Sequence, residues 1–133
     1  MTERHFTPED VEALIPTLTA LVDRLRAAHD EGRVVREYLE SEQRRVSLSG
    51  GGMLDQARWR AAQARFDAAT KDVKAVVDEL NGLGGTPKDV ELGLVDFPHL
   101  RDGRVVNLCW KYGETRVRWW HGFDEGYAAR KPL

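Results

Sequence analysis

The chain has 133 residues but a single cysteine, Cys109, and only five prolines, of which Pro16 alone falls inside a helical pattern. A lone cysteine excludes an intramolecular disulfide and a cysteine-rich zinc site, and it fits a reducing compartment. No uninterrupted apolar run approaches the length that spans a bilayer, and the opening Met1-Thr-Glu-Arg-His-Phe lacks the apolar centre of a signal peptide. A soluble, cytoplasmic protein is expected, with no membrane partner. Charge of one sign is also missing. The formal net charge is −2 and the pI about 6.1. Basic and acidic residues number 12 and 15 up to Leu83, then 8 and 7 from Gly84 onward. Neither part has the basic excess of an electrostatic nucleic-acid binder, so nucleic acid is disfavoured as a partner. The length suits one domain with its own core, residues 1–133.

What is present begins with two long helical patterns over residues 6–83. Phe6-Thr7-Pro8-Glu9-Asp10-Val11 reads as a helix start, with Thr7 as N-cap, Pro8 at the first helical position and two acids in the first turn. Phe6 and Val11 occupy the staple positions around that cap. A heptad follows, with Val11, Leu18, Leu25, Gly32, Leu39 and Val46 at one core position and Leu14, Leu21, Ala28 and Val35 at the other. Pro16 removes one backbone bond, which predicts a kink or short break near Ile15. Ser47-Leu-Ser-Gly-Gly-Gly52 ends the helix and reverses the chain. The second heptad sets Trp59, Phe66, Val73 and Leu80 beside Ala62, Ala69, Val76 and Leu83, and the short reversal makes the pair an antiparallel, coiled-coil-like hairpin. The first helix is longer by about ten residues, an overhang of roughly 15 Å at its N-terminal end. There Ile15, Val22 and Val77 broaden the apolar stripe for a third element.

That element is a C-terminal β module, residues 84–133. Asp102-Gly103 is a strong two-residue hairpin signal and Tyr112-Gly113 a weaker one. Together they predict a three-stranded antiparallel meander of Leu94–Pro98, Arg104–Lys111 and Thr115–His121, followed by a short tail. With both turns closed as two-residue loops, Asp96 faces Cys109 and Cys109 faces Arg116, while Phe97 faces Leu108 and Leu108 faces Val117. One sheet face then carries Val95, Phe97, Val106, Leu108, Trp110, Val117 and Trp119, and lies on the helices. The other carries Asp96, Asn107, Cys109, Arg116 and Arg118, with Trp120 and Val105 at its end. A one-residue slip in the second turn would reverse the third strand.

The polar face admits a carboxylate–thiol–arginine cluster that binds an anion, or a plain cross-strand ion pair. This register sets no histidine beside Cys109, which argues against a nucleophilic cysteine. His121 lies at the end of the third strand near Arg104. With Asp96, His5 or His99 it would offer nitrogen and oxygen donors to a metal, although the spacing shows no tight ligand motif. In the tail, Phe123, Tyr127 and Leu133 are available to pack back, and Arg130 to bind a carboxylate or an external anion.

Phe6-Thr7, Ala13-Leu-Ile-Pro16, Lys88-Asp89, Gly93-Leu-Val-Asp-Phe-Pro98, Asp102-Gly-Arg104, Leu108-Cys-Trp110, Gly113-Glu114, Trp120-His121, Gly126, Arg130 and Pro132 resemble the pattern of a prokaryotic family of uncharacterised proteins, domain of unknown function 2203. The resemblance covers nearly the whole chain and implies the helical-hairpin-plus-β architecture without an established activity. Where the family tail reads Gly-Arg-Gln-Pro, this chain has Ala129-Arg-Lys-Pro132.

Two functional readings stand at this point. The less demanding is a non-enzymatic interaction module: the hairpin self-associates into a homodimer, and the β module presents Asp96, Arg104, Glu114, His121 and Arg130 to a protein partner. The alternative is a small ligand- or metal-binding protein, or an enzyme, using Asp96, Cys109 and His121; no cofactor is identified by the sequence. RNA binding by Arg116 to Trp120 is a third reading and requires steep salt dependence.

Overall fold

The computed structural model describes residues 4–50 and 52–133. Two helices, α1 (Pro8–Leu48) and α2 (Gln56–Leu83), precede five strands: β1 (Thr86–Asp89), β2 (Leu94–Arg101), β3 (Arg104–Lys111), β4 (Trp119–His121) and β5 (Lys131–Pro132). The strands form one antiparallel sheet in the order β1-β2-β3-β4-β5. The fold is therefore α+β, with five strands where the sequence predicts three. β1 and β5 escape sequence reading because they have four and two residues and no apolar alternation, and each contains a proline that suits an edge strand. No helix among the described residues is long and apolar enough to cross a membrane.

The start of α1 is as expected. The Thr7 side chain accepts from the Asp10 amide at 3.1 Å, and the Asp10 carboxylate accepts from the Thr7 amide at 2.9 Å, closing a capping box. Phe6 and Val11 are both buried in the main core. Of the kink or short break expected at Pro16, the break does not occur, and α1 runs without interruption from Pro8 to Leu48. Val11, Leu14, Ile15 and Leu18 on both sides of Pro16 pack into one core, which keeps the helix continuous through the missing bond.

α1 and α2 lie antiparallel, tied by Arg24 to Asp72 at 2.6 Å and Arg65 to Glu31 at 2.6 Å. Small residues make the contact close: Ala62 and Ala69 are buried, whereas the larger Trp59, Phe66 and Val73 are only half-buried at its margin. Asp55 caps α2 by accepting from the Arg58 amide, and Gly84, at φ 98°, ends it in the left-handed conformation that glycine adopts without penalty.

The sheet packs on the N-terminal part of α1, as the overhang predicts. One core unites Phe6, Val11, Leu18, Val22 and Leu25 of the N-terminal region with Val76 and Leu80 of α2 and Val95, Phe97, Leu108 and Trp110 of the sheet. Gly85 lets β2 approach, since a Cβ there would lie 2.8 Å from both Phe97 and Val95. A second, smaller cluster of Val35, Leu39 and Ala62 lies toward the hairpin tip.

Core depth should therefore fall along the hairpin. Leu80→Ala is expected to cost about 3 kcal/mol in urea unfolding, the usual loss for a fully buried leucine, and Val46→Ala near the tip less than about 1 kcal/mol.

Candidate metal centre

The Asp102-Gly103 turn has positive φ at both residues, 51° and 77°, the type I′ geometry that matches strand twist. It fixes the β2–β3 register as expected: Asp96 pairs with Cys109 and Phe97 with Leu108. Period-two alternation sends Phe97 and Leu108 to the helices and Asp96 and Cys109 to the opposite face.

The second turn corrects the sequence reading. Leu108 pairs with Trp120, not Val117, and Asn107 pairs with His121. Residues 112–118 form a wider loop, because Glu114 folds back on the strand. Its Oε1 accepts from the Lys111 amide at 2.7 Å and its carbonyl from the Trp110 indole at 3.0 Å. The shift is three residues, an odd number, so the faces of β4 reverse. Trp120 takes the side expected for Trp119, and His121 joins the face of Asp96 and Cys109. Arg116 and Arg118 are exposed and lie outside the strand.

Three adjacent strands thereby bring Asp96, Cys109 and His121 together. One donor atom from each lies within 4.8 Å of the other two, and the residues are 3%, 1% and 2% exposed. His121 Nε2 stands 3.1 Å from Asp96 Oδ2. Its Nδ1 is 2.9 Å from the Gly122 carbonyl, which it can meet only as a donor. Nε2 therefore carries the lone pair in the neutral ring and points it at a carboxylate oxygen. A proton or a cation must lie between them. The other oxygen of Asp96, Oδ1, is buried without a hydrogen-bond partner.

This geometry is unlike a nucleophilic triad, in which one ring nitrogen faces the thiol and the other an orienting carboxylate. Here the second nitrogen is spent on a carbonyl. Burial, reinforced by the nearby Asp96 carboxylate and opposed by Arg130, pushes the Cys109 thiol up to about 11. As a neutral thiol it is a poor nucleophile.

Of the other candidates, Glu114 and Arg130 pair at 2.7 Å beside the trio, and the Arg130 guanidinium also donates to the Cys109 carbonyl at 2.9 Å. The Tyr127 ring lies 4.9 Å from that guanidinium and the Trp119 ring 5.4 Å. Arg104 is exposed at the far hairpin turn and lies apart from the Asp96–Cys109–His121 cluster. His99 binds the Phe6 carbonyl through Nδ1, and His5 is exposed, so neither completes a site with His121. Of the tail residues, Phe123 is 69% exposed and does not pack back. Sequence reasoning missed the Gly122 carbonyl that fixes the histidine tautomer. The only signal for it was the His121-Gly122 adjacency.

A family profile described as an uncharacterised conserved protein, DUF2203, matches residues 4–133, and the chain belongs to that family. No curated protein and no solved structure matches it.

Two outcomes follow from the buried thiol in metal-free protein. Cys109 should resist a disulfide reagent near neutral pH and react at once when urea unfolds the chain. The fold holds the thiol proton above the ordinary value of 9.0, so the associated stability is intact below pH 9 and declines toward pH 11. A urea midpoint that falls over that interval in the native chain, and falls less in Cys109→Ser, is the expected result.

Proposed function

Starting from that membership, we propose that the protein binds a transition-metal ion of the zinc class through Asp96, Cys109 and His121. The observation that carries this reading is the arrangement around one point: an unpartnered buried carboxylate oxygen, a buried thiol and an imidazole nitrogen whose tautomer is set by Gly122. Thiolate, imidazole and carboxylate donors suit zinc and its neighbours, whereas calcium and magnesium require oxygen alone. Donors around a tetrahedral zinc lie about 3.5 Å apart, so the trio needs to contract by only about 1 Å. Three protein donors leave the fourth position to a water or another small ligand.

The surroundings are those a metal site uses. The Gly122 carbonyl orients the histidine, and Arg130, held by Glu114, lies beside the ligand strand. A bound cation takes the place of the proton between Nε2 and Asp96, satisfies Oδ1 and stabilises the thiolate that burial otherwise disfavours. Coordination must displace the thiol proton, so binding strengthens as pH rises.

Self-association of the hairpin is a second reading. It is supported near the tip, where Trp59 and Phe66 are half-buried and Leu48 and Met53 are 88% and 91% exposed. Its test is a molar mass that rises with protein concentration in metal-free buffer.

The metal reading predicts one equivalent of zinc in protein purified without a chelating tag, measured by elemental analysis. Asp96→Asn, Cys109→Ser and His121→Ala should each weaken binding by at least about tenfold, while wild-type protein gains thermal stability with added zinc. Asp96→Asn keeps size and shape, so a folded variant with unchanged affinity would sink the proposal. So would wild-type protein that neither retains a metal nor responds to one.

A further inference from the structure

A cavity of about 930 Å³ lies at the other end of the sheet, between the β2–β3 hairpin turn and the loop after β4. Arg101, Arg104, Trp120, Glu125 and Lys131 line it, with Asp102 and Asp124. Arg101 and Arg104 are direct cross-strand partners. Like charges placed opposite each other destabilise a sheet. Among the described residues neither guanidinium pairs with a carboxylate, in contrast to Arg130 and Lys131 nearby.

What holds Arg101 and Lys131 is an aromatic ring. The Arg101 guanidinium and the Lys131 ammonium each lie 4.8 Å from the centroid of the Trp120 ring. A cation–π contact fixes a guanidinium through its face and leaves its in-plane N–H groups free. The Trp120 indole N–H is itself buried without an acceptor. One carboxylate oxygen of the lining is already used: Glu125 Oε1 accepts from the Lys131 ammonium and the Gly122 amide, both at 2.6 Å. Asp102 and Asp124, exposed like Arg104, lie in the hairpin turn and in the loop after β4, off the paired strand positions of the two arginines. Of the three cations in the lining, Arg101 and Arg104 are therefore the two without a carboxylate partner among the described residues, and they stand at paired positions across the hairpin.

We propose that this cavity is a binding site for a small phosphorylated molecule whose phosphate bridges Arg101 and Arg104. A phosphate dianion matches two guanidinium forks in charge and in its number of acceptor oxygens, and relieves the repulsion between them. The cavity exceeds a phosphate ion in size, so the ligand is an ester whose remaining part lies along Trp120 and Val106. The site is independent of the proposed metal.

Titration calorimetry tests this with pyrophosphate and glycerol 3-phosphate as probes and citrate as a non-phosphate control. It is run on wild-type protein before and after chelator treatment, and on Arg101→Gln and Arg104→Gln. Both variants change surface positions outside the helix-facing core, and circular dichroism checks their folding. The expected result is saturable one-to-one binding of a phosphate probe, unaltered by chelation and weakened at least about tenfold by either substitution. No saturable binding, binding that survives both substitutions, binding lost on chelation, or citrate bound as tightly as the phosphates would each overturn the assignment.

Discussion

The helix pair is too short of apolar surface on its own to hide Phe6, Leu18, Leu25 and Leu80, and the sheet is too small to stand without a backing layer. Each therefore depends on burying Val95, Phe97, Leu108 and Trp110 of the sheet against the overhang of α1 and the end of α2. That one contact dictates the opposite face. Strand side chains alternate, so burying Phe97 and Leu108 commits Asp96 and Cys109 to the far side, next to each other, whatever their chemistry. Pro98 fits the same scheme. β1 pairs with β2 only as far as Asp96, so the missing amide of Pro98 costs no ladder bond on that side, and its carbonyl accepts from the Phe6 amide at 2.7 Å.

How far the sequence discloses this depends on what each signal is made of. Helix patterns with a capping box and a proline at the first position are redundant, and each of Thr7, Pro8, Asp10 and the heptad leucines points to the same element. The Asp102-Gly103 turn is equally explicit, because few dipeptides accept two positive φ values. Tyr112-Gly113 carries half that information. Gly113 has the positive φ, 95°, but the loop size is decided by the Glu114 side chain returning to the Lys111 amide, a contact invisible to turn rules. A three-residue error there was enough to hide His121 from Cys109. The individual members of the cluster were legible as chemistry, and their convergence was not.

The edge at β5 shows the same limit. Lys131-Pro132 has no strand pattern, yet it pairs with Trp119 and Trp120, and the Leu133 amide donates to the Arg118 carbonyl at 2.9 Å. This brings Arg130 and Tyr127 over the face that carries Cys109, so a segment that reads as a tail supplies the wall of the buried cluster. Arg130 is held on three sides, by Glu114, by the Cys109 carbonyl and by the Trp119 and Tyr127 rings, and a guanidinium so fixed loses little freedom on taking part in a site.

Electrostatics supports the proposed ligating role for the trio over a purely structural one. A buried aspartate paired with histidine stands on its own only when every remaining lone pair is satisfied, because the low dielectric that strengthens the pair also raises the cost of an idle acceptor. Asp96 leaves Oδ1 idle although backbone and side-chain donors are abundant in a sheet of this size. A core selected for stability alone would place an asparagine partner or an apolar pair at these positions, since replacing a buried ion pair with packed hydrophobic groups is commonly neutral or stabilising. The thiol sharpens the point. It contributes no strong donor to the carboxylate, and it becomes a strong ligand only as the thiolate, a form that the protein interior disfavours until a cation arrives. Three groups that are individually costly in the fold become mutually compatible with one divalent ion at their centre, and that compatibility is the physical ground for reading them as ligands.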